Sequence, residues 1–173
     1  MLIIFTGNGK GKTTASLGQA LRTVGDGKKV LMVQFIKGPW KSGEDESYKL
    51  LSPKLKIVKK GKGFVGILND TLPRKVHIEA AKEGLLYALK EIENKKWNIL
   101  ILDEIWNALH LKLVSKKEVS AFIKKSMPLL EHLIMTGRDC PEEFIKKADL
   151  VTEMKEVKHP YQKGIKGSKG VEF

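Results

Sequence analysis

Between the apolar run Leu2-Ile3-Ile4-Phe5 and a periodic stretch from Thr14 to Val24 stands Thr6-Gly7-Asn8-Gly9-Lys10-Gly11-Lys12-Thr13-Thr14, and no other segment restricts the fold as tightly. The run before it reads as a short buried strand. After it, Ala15, Leu17, Ala20, Leu21 and Val24 fall at the spacing of a helix with one buried face. A strand that turns through glycines straight into a helix is the frame of a phosphate-binding loop. Its glycines let backbone N–H groups converge on an anion, Lys12 adds a mobile positive charge, and Thr13 offers a hydroxyl to Mg²⁺. The helix then aims its positive dipole end at the same anion. The usual pattern has Gly where this chain has Thr6; Gly7 and Gly9 are expected to supply that freedom one residue displaced. The alternative is a polar strand-to-helix turn built from two residue types that are common in this chain.

Apolar, β-branched runs recur at Leu2–Phe5, Val30–Phe35, Leu55–Val58, Ile99–Leu102, Leu133–Met135 and Leu150–Val151, with helical periodicity between most of them. A long helix is expected from Leu72 to Asn94, starting after Asp70-Thr71 with Pro73 in its first turn. Ser115 and Glu118 form a capping box for another, and a short one begins near Pro141-Glu142-Glu143. Strands alternating with helices imply an α/β fold with a mainly parallel sheet of about six strands and helices on both faces, and the loop at Thr6 to Thr14 makes it a single P-loop NTPase-like domain. Lys37 to Ser47 and Lys59 to Asp70, both glycine-containing and both following strands, are candidate substrate loops. The tail from Lys155 to Phe173 lacks periodicity and is expected to be mobile.

The second chemical signal is Asn98-Ile99-Leu100-Ile101-Leu102-Asp103-Glu104. Two carboxylates at the end of a buried strand are costly unless they meet a cation or a solvent-filled site. Such a pair suits metal handling beside a phosphate loop; the alternative is a helix N-cap by Asp103 with Glu104 in the first turn. Arg138, after the fifth apolar run, could equally reach a phosphate or form a surface ion pair. His77, His110, His132 and His159 lack metal-ligand spacing among themselves or with Cys140, which argues against structural zinc. Trp40, Trp97 and Trp106 read as core or interface aromatics, and Ser/His/Asp or Cys/His arrangements suited to nucleophilic catalysis are missing.

The 173 residues, 42% of them apolar, suffice for one domain with a sizeable core. Lys and Arg outnumber Asp and Glu by 32 to 20, giving a formal net charge of +12 that attracts anions. The lysines are scattered and the aromatics do not interleave with them, so a basic nucleotide pocket is favoured over a nucleic-acid surface. A lone Cys140, no membrane-length apolar stretch and a start that opens directly on the first strand lead to the expectation of a cytoplasmic protein.

Taken together, Gly7–Thr14, the turn Arg22-Thr23-Val24-Gly25-Asp26-Gly27-Lys28, VQFIKG at Val33–Gly38, ILDE at Ile101–Glu104, TGRDC at Thr136–Cys140, ADLVTEM at Ala148–Met154 and VKHPYQKGIKG at Val157–Gly167 resemble the P-loop type of ATP:corrinoid adenosyltransferase. The resemblance implies transfer of the 5′-deoxyadenosyl group of ATP to the Co(I) of a reduced corrinoid, with release of tripolyphosphate. It implies nucleotide or corrinoid binding by Gly7, Asn8, Gly9, Lys10, Gly11, Lys12, Thr13, Thr14, Arg22, Lys37, Phe64, Arg138, Lys158 and His159. Thr13, Asp103 and Glu104 would hold Mg²⁺, and Lys12, Thr13 and Glu104 would carry the chemistry. A homodimer and a flavoprotein reductant are further expectations of the resemblance. The family motif Gly-Phe-Thr-Trp reads here Gly63-Phe64-Val65-Gly66. The rival function is a P-loop ATPase or small-molecule kinase, in which Glu104 orients water or a hydroxyl. A basic nucleic-acid module and a non-catalytic carrier are weaker rivals.

Overall fold

The computed structural model describes residues 1–67, 70–94 and 97–171; positions 68–69 of the second candidate loop and 172–173 of the tail lie outside the described residues. Six strands, β1 (Leu2–Thr6), β2 (Val30–Gln34), β3 (Leu55–Lys59), β4 (Ile99–Asp103), β5 (His132–Thr136) and β6 (Leu150–Glu153), form one sheet in the order β3-β2-β4-β5-β1-β6. Every pairing is parallel, so the expected mainly parallel sheet is wholly parallel. Each strand lies within one or two residues of its apolar run, and the four inner strands, covered on both faces, are apolar except at their ends.

Side-chain alternation divides that apolar content between two layers. Leu31, Val33, Leu100, Leu102, Leu133 and Met135 face the helices α3 (Arg74–Glu93), α4 (Ile105–His110) and α5 (Lys116–Ser126). Val30, Met32, Ile99, Ile101 and Ile134 face α1 (Lys12–Gly25) through Ala20, with Leu17 and Val24 packed alongside. Helices therefore cover both faces, as the alternation of elements implied. The edge strand β6 differs: all four of its residues are exposed.

Helix boundaries follow local chemistry in some places and depart from it in others. Ser115 Oγ accepts from the Glu118 N–H while the Glu118 carboxylate accepts from the Ser115 N–H, the capping box expected for α5. The long helix starts two residues later than expected: Pro73 precedes α3 with extended ψ, and Asp70 does not open the helix. Asp70 instead accepts from the N–H groups of Gly66 and Leu72 and pairs with the buried His77 at 3.1 Å, a use of the carboxylate that sequence spacing does not reveal. The candidate loop after β2 contains a short helix, α2 (Glu44–Ser47), continued by a 3-10 turn at Tyr48–Leu51. A short α6 (Glu142–Ile145) begins directly after Pro141, and the tail carries a 3-10 turn at Pro160–Lys163. Among the described residues no helix is long and apolar enough to cross a membrane.

Candidate nucleotide and corrinoid site

The strand order brings the carboxyl ends of β1, β4 and β5 side by side, where ligands of open α/β sheets bind. From the end of β1 the chain enters the glycine loop along the exit of β6. Gly7 has φ 95°, and a Cβ there would stand 2.5 Å from the Met154 carbonyl oxygen. Gly9 donates its N–H to that same oxygen at 2.6 Å. The expectation that Gly7 and Gly9 share the conformational freedom needs correction: the left-handed positions are Gly7 and Gly11, at φ 95° and 115°. Gly9 is confined by proximity, since a Cβ on it would lie 2.7 Å from Met154 O. Gly11 leads into α1, whose first turn receives no side-chain cap from the described residues. Its N–H groups are thus suited to an anion.

Lys12 folds back across the loop and donates to the carbonyls of Gly7 and Gly9, both at 2.7 Å. Partial burial, and then the Arg138 charge, lower its pKa from the ordinary lysine value. Thr13 donates its hydroxyl to Asp103 Oδ1 at 2.9 Å. Asp103 is completely buried; Oδ1 also accepts from the Thr136 hydroxyl at 2.7 Å, and Oδ2 from Gln34 Nε2 at 3.1 Å. Burial raises its pKa despite these three donors. With both oxygens engaged inside the protein, Asp103 orients Thr13.

Glu104 is turned the other way. Its φ of 62° is left-handed, and its N–H donates to Thr136 Oγ at 2.9 Å, so one threonine holds both acidic residues in register. The backbone reversal swings the Glu104 side chain into the cleft, the kind of strained placement found where geometry serves a site. Burial and the neighbouring Asp103 charge push its carboxyl up to about 7, against the pull of Lys37, Lys12 and Arg138. A helix does follow, yet neither carboxylate caps it: α4 begins at Ile105, and Glu104 makes no side-chain cap bond.

Two cavities meet at this point. The first, about 530 Å³, is lined by the loop from Asn8 to Thr14 together with Lys37, Glu44, Glu104, Arg138, His159 and Val171. The second, about 700 Å³, is lined by Ile36, Trp40, Phe64 and Ser42 and shares Lys37 and Glu104 with the first. Lys37 is ion-paired with Glu44. The rings of Trp40 and Phe64 lie 5.4 Å apart at 34° and form an apolar wall. The loops bearing them cross where a Cβ on Gly38 would stand 2.7 Å from Gly63 Cα.

Of the residues picked from sequence, Asn8, Gly9, Lys10, Gly11, Lys12, Thr13, Thr14, Lys37, Glu104, Arg138 and His159 line the first cavity, while Phe64 lines the second. Lys10 reaches the Val171 carbonyl. Arg138 is positioned through its N–H, which donates to Asn107 Oδ1 at 2.9 Å. His159 accepts from the Tyr161 N–H at 3.2 Å and caps the tail turn. Lys158 is exposed and lines neither cavity. Arg22 is not brought to the loop: it sits near the C-terminal end of α1, about 15 Å along the axis from Lys12, in a separate cleft with Lys28 and Glu131. Gln34, Trp40, Glu44, Asn107 and Thr136 escaped the sequence reading. Gln34 and Thr136 left a signal, a polar residue closing an apolar strand; Trp40 and Glu44 fall within the candidate loop Lys37 to Ser47 without being singled out there, and Asn107 left no signal. The Cys140 thiol is pushed by burial up to about 12, which removes it as a nucleophile near neutral pH.

Among the described residues no three His, Cys, Asp or Glu side chains gather as a metal site. A cation here would draw on the Thr13 hydroxyl, the Glu104 carboxylate and phosphate oxygens, an all-oxygen set that fits Mg²⁺.

A parallel sheet with a phosphate loop after its first strand, answered across β5 by an acidic residue pair at the end of β4, defines a P-loop nucleotide-binding protein of the NTPase-like class. The family model described as ATP:corrinoid adenosyltransferase BtuR/CobO/CobP matches residues 1–173, and the chain belongs to that family. It is 37% identical over 174 residues to a corrinoid adenosyltransferase of Sinorhizobium sp, covering 100% of this chain and 80% of the relative. A corrinoid adenosyltransferase of Escherichia coli strain K12 is 36% identical over 173 residues, and the corrinoid adenosyltransferase CobA of Salmonella typhimurium 33%; each alignment spans 100% of this chain and 85% of the relative.

Proposed function

We propose that this chain transfers the 5′-deoxyadenosyl group of ATP to the cobalt of a reduced corrinoid, with tripolyphosphate as the leaving group. The observation that carries this reading is the pair of adjoining cavities: a phosphate loop lines one, an aromatic wall lines the other, and Glu104 and Lys37 stand at their junction. A reaction joining a nucleotide to a broad apolar macrocycle needs that arrangement, whereas hydrolysis needs only the first cavity.

The residues suit the chemistry. Cobalt in the Co(I) state is itself the nucleophile, so the protein need not supply a serine, cysteine or general base. As the cobalt–carbon bond forms, the bond from C5′ to the triphosphate oxygen breaks, and its electron pair leaves with tripolyphosphate. Cobalt passes formally from Co(I) to Co(III). The loop N–H groups, Lys12 and Arg138 stabilise the charge gathering on the departing chain, and the fixed walls align attack. Mg²⁺, when bound, would neutralise part of that charge; Thr13 and Glu104 would hold it, with Asp103 orienting the Thr13 hydroxyl.

Four further elements belong to the proposal. The tail faces substrate, supported by His159 and Val171 at the first cavity. The chain acts as a homodimer, a reading that draws support from the exposed residues of the edge strand β6. Its setting is cytoplasmic, where a lone cysteine is at home. A flavoprotein supplies the electron that prepares Co(I).

The test is an anaerobic incubation with ATP, Mg²⁺ and chemically reduced cob(I)alamin. A light-sensitive alkyl-cobalt product with stoichiometric tripolyphosphate is the expected result. ADP without cobalt alkylation would instead establish the ATPase or kinase reading. Lys12→Ala is expected to lower transfer at least about a hundredfold, as loss of a transition-state charge contact does.

A further inference from the structure

The aromatic wall of the second cavity is carried by two surface loops, and Trp40 is 55% exposed. Its ring packs against Phe64 and Gly63. The backbone beneath it is held by Lys59, the last residue of β3. The Lys59 ammonium donates to the Trp40 carbonyl at 2.8 Å and to the Asp45 carboxylate. Asp45 Oδ2 also accepts from the Ser42 N–H at 2.8 Å. One cation thus ties three points of the loop after β2 to the sheet.

Two features make this more than a surface ion pair. The Lys59 and Asp45 side chains are each only 21% exposed, so solvent screens them less than a fully exposed pair. Burial alone would raise the Asp45 pKa, yet the Lys59 ammonium and the Ser42 N–H overcome it and hold the carboxyl below its ordinary value. The clasp also has a short line to the chemistry. Lys59 pairs in register with Gln34, whose amide donates to Asp103, and the residue before Asp45 is Glu44, the partner of Lys37 at the junction of the cavities.

We propose that Lys59, acting through Asp45 and the Trp40 carbonyl, is a positioning residue that sets the corrinoid-facing wall without touching either substrate. This rests on the adenosyl-transfer reading of the two cavities. A loop freed of its clasp lets Trp40 leave Phe64, so the macrocycle loses an ordered wall while the phosphate loop, held by β1 and β6, keeps its shape.

The experiment uses the intact chain with Lys59→Met, which retains the stem and removes the ammonium, beside Asp45→Asn and Lys59→Arg. Lys59→Met and Asp45→Asn are each expected to raise KM for cob(I)alamin about tenfold and to leave KM for ATP within about twofold, the scale of a misplaced wall. Combining them should add little to either alone, because both release one clasp. Lys59→Arg, which keeps charge and donors, should restore most of the loss. Independently of any turnover, acrylamide quenching of tryptophan fluorescence in the substrate-free protein should increase in the first two variants. Unchanged quenching, equal rises in both KM values, or additive effects of the two substitutions would overturn the proposal. If Lys59→Met fails to fold, Asp45→Asn alone decides by the same criteria. Because quenching needs no substrate, the clasp is judged even if the wild type transfers no adenosyl group.

Discussion

Glu104 is where protonation, backbone strain and both cavities converge. Because burial raises its carboxyl from 4.5 to about 7, the folded chain binds this proton more tightly than the unfolded chain does. The resulting stabilisation is complete below about pH 4.5 and is lost as pH rises through about 7. In the metal-free protein this group alone lowers unfolding free energy across that window by at most about 1.4 kcal/mol per pH unit. Glu104→Gln should flatten that part of the dependence, as read by denaturant titrations at several pH values; parallel curves for variant and wild type would contradict the assignment. Thr136→Val removes the hydroxyl that donates to Asp103 and accepts from Glu104. It should cost about 1–3 kcal/mol by urea unfolding, since a buried carboxylate and a backbone N–H each lose a partner, and adenosyl transfer should fall with it. At this scale the two acidic residues were legible because carboxylates closing an apolar strand demand an explanation. Their opposed roles were not legible, for these depend on which neighbours meet Asp103 and on a left-handed φ at Glu104.

The glycine loop shows how an element borrows its shape from a neighbour distant in sequence. Gly7→Ala would place a Cβ 2.5 Å from the Met154 carbonyl at φ 95°, and a backbone oxygen cannot rotate aside. The loop must move off β6, so the variant should bind ATP at least about tenfold more weakly and lose about 1–3 kcal/mol of stability. Gly27→Ala provides the contrast: φ is 83° with nothing within 4 Å, so it should cost about 1 kcal/mol and leave ATP binding intact. Isothermal titration with ATP and urea unfolding separate the two outcomes. Strands and the Ser115 capping box were readable from local chemistry, as apolar runs and a reciprocal spacing need no distant partner. The helix after Gly43 escaped because four polar residues carry no helical period; Lys37 and Lys59 tether its acidic face to the site.

Across the whole molecule, the tail closes the account of the first cavity. Gly170 and Val171 line it, and the Val171 carbonyl holds Lys10. Ending the chain after Gly164 should shift the unfolding midpoint by less than about 2 °C, because residues 165–171 are exposed, yet raise KM for ATP severalfold as the triphosphate loses a wall. Calorimetry and initial-rate kinetics check the two halves, and an unchanged KM would remove the tail from the site. The α/β class, the phosphate loop, the acidic pair and the family were legible in the chain, since all rest on residues adjacent in sequence or on the period of apolar residues. Tertiary contacts decide that Asp103 serves Thr13 while Glu104 faces the cleft, and that Trp40 meets Phe64. Those outcomes depend on strand order and loop crossing, where the free energy resides in contacts between residues tens of positions apart.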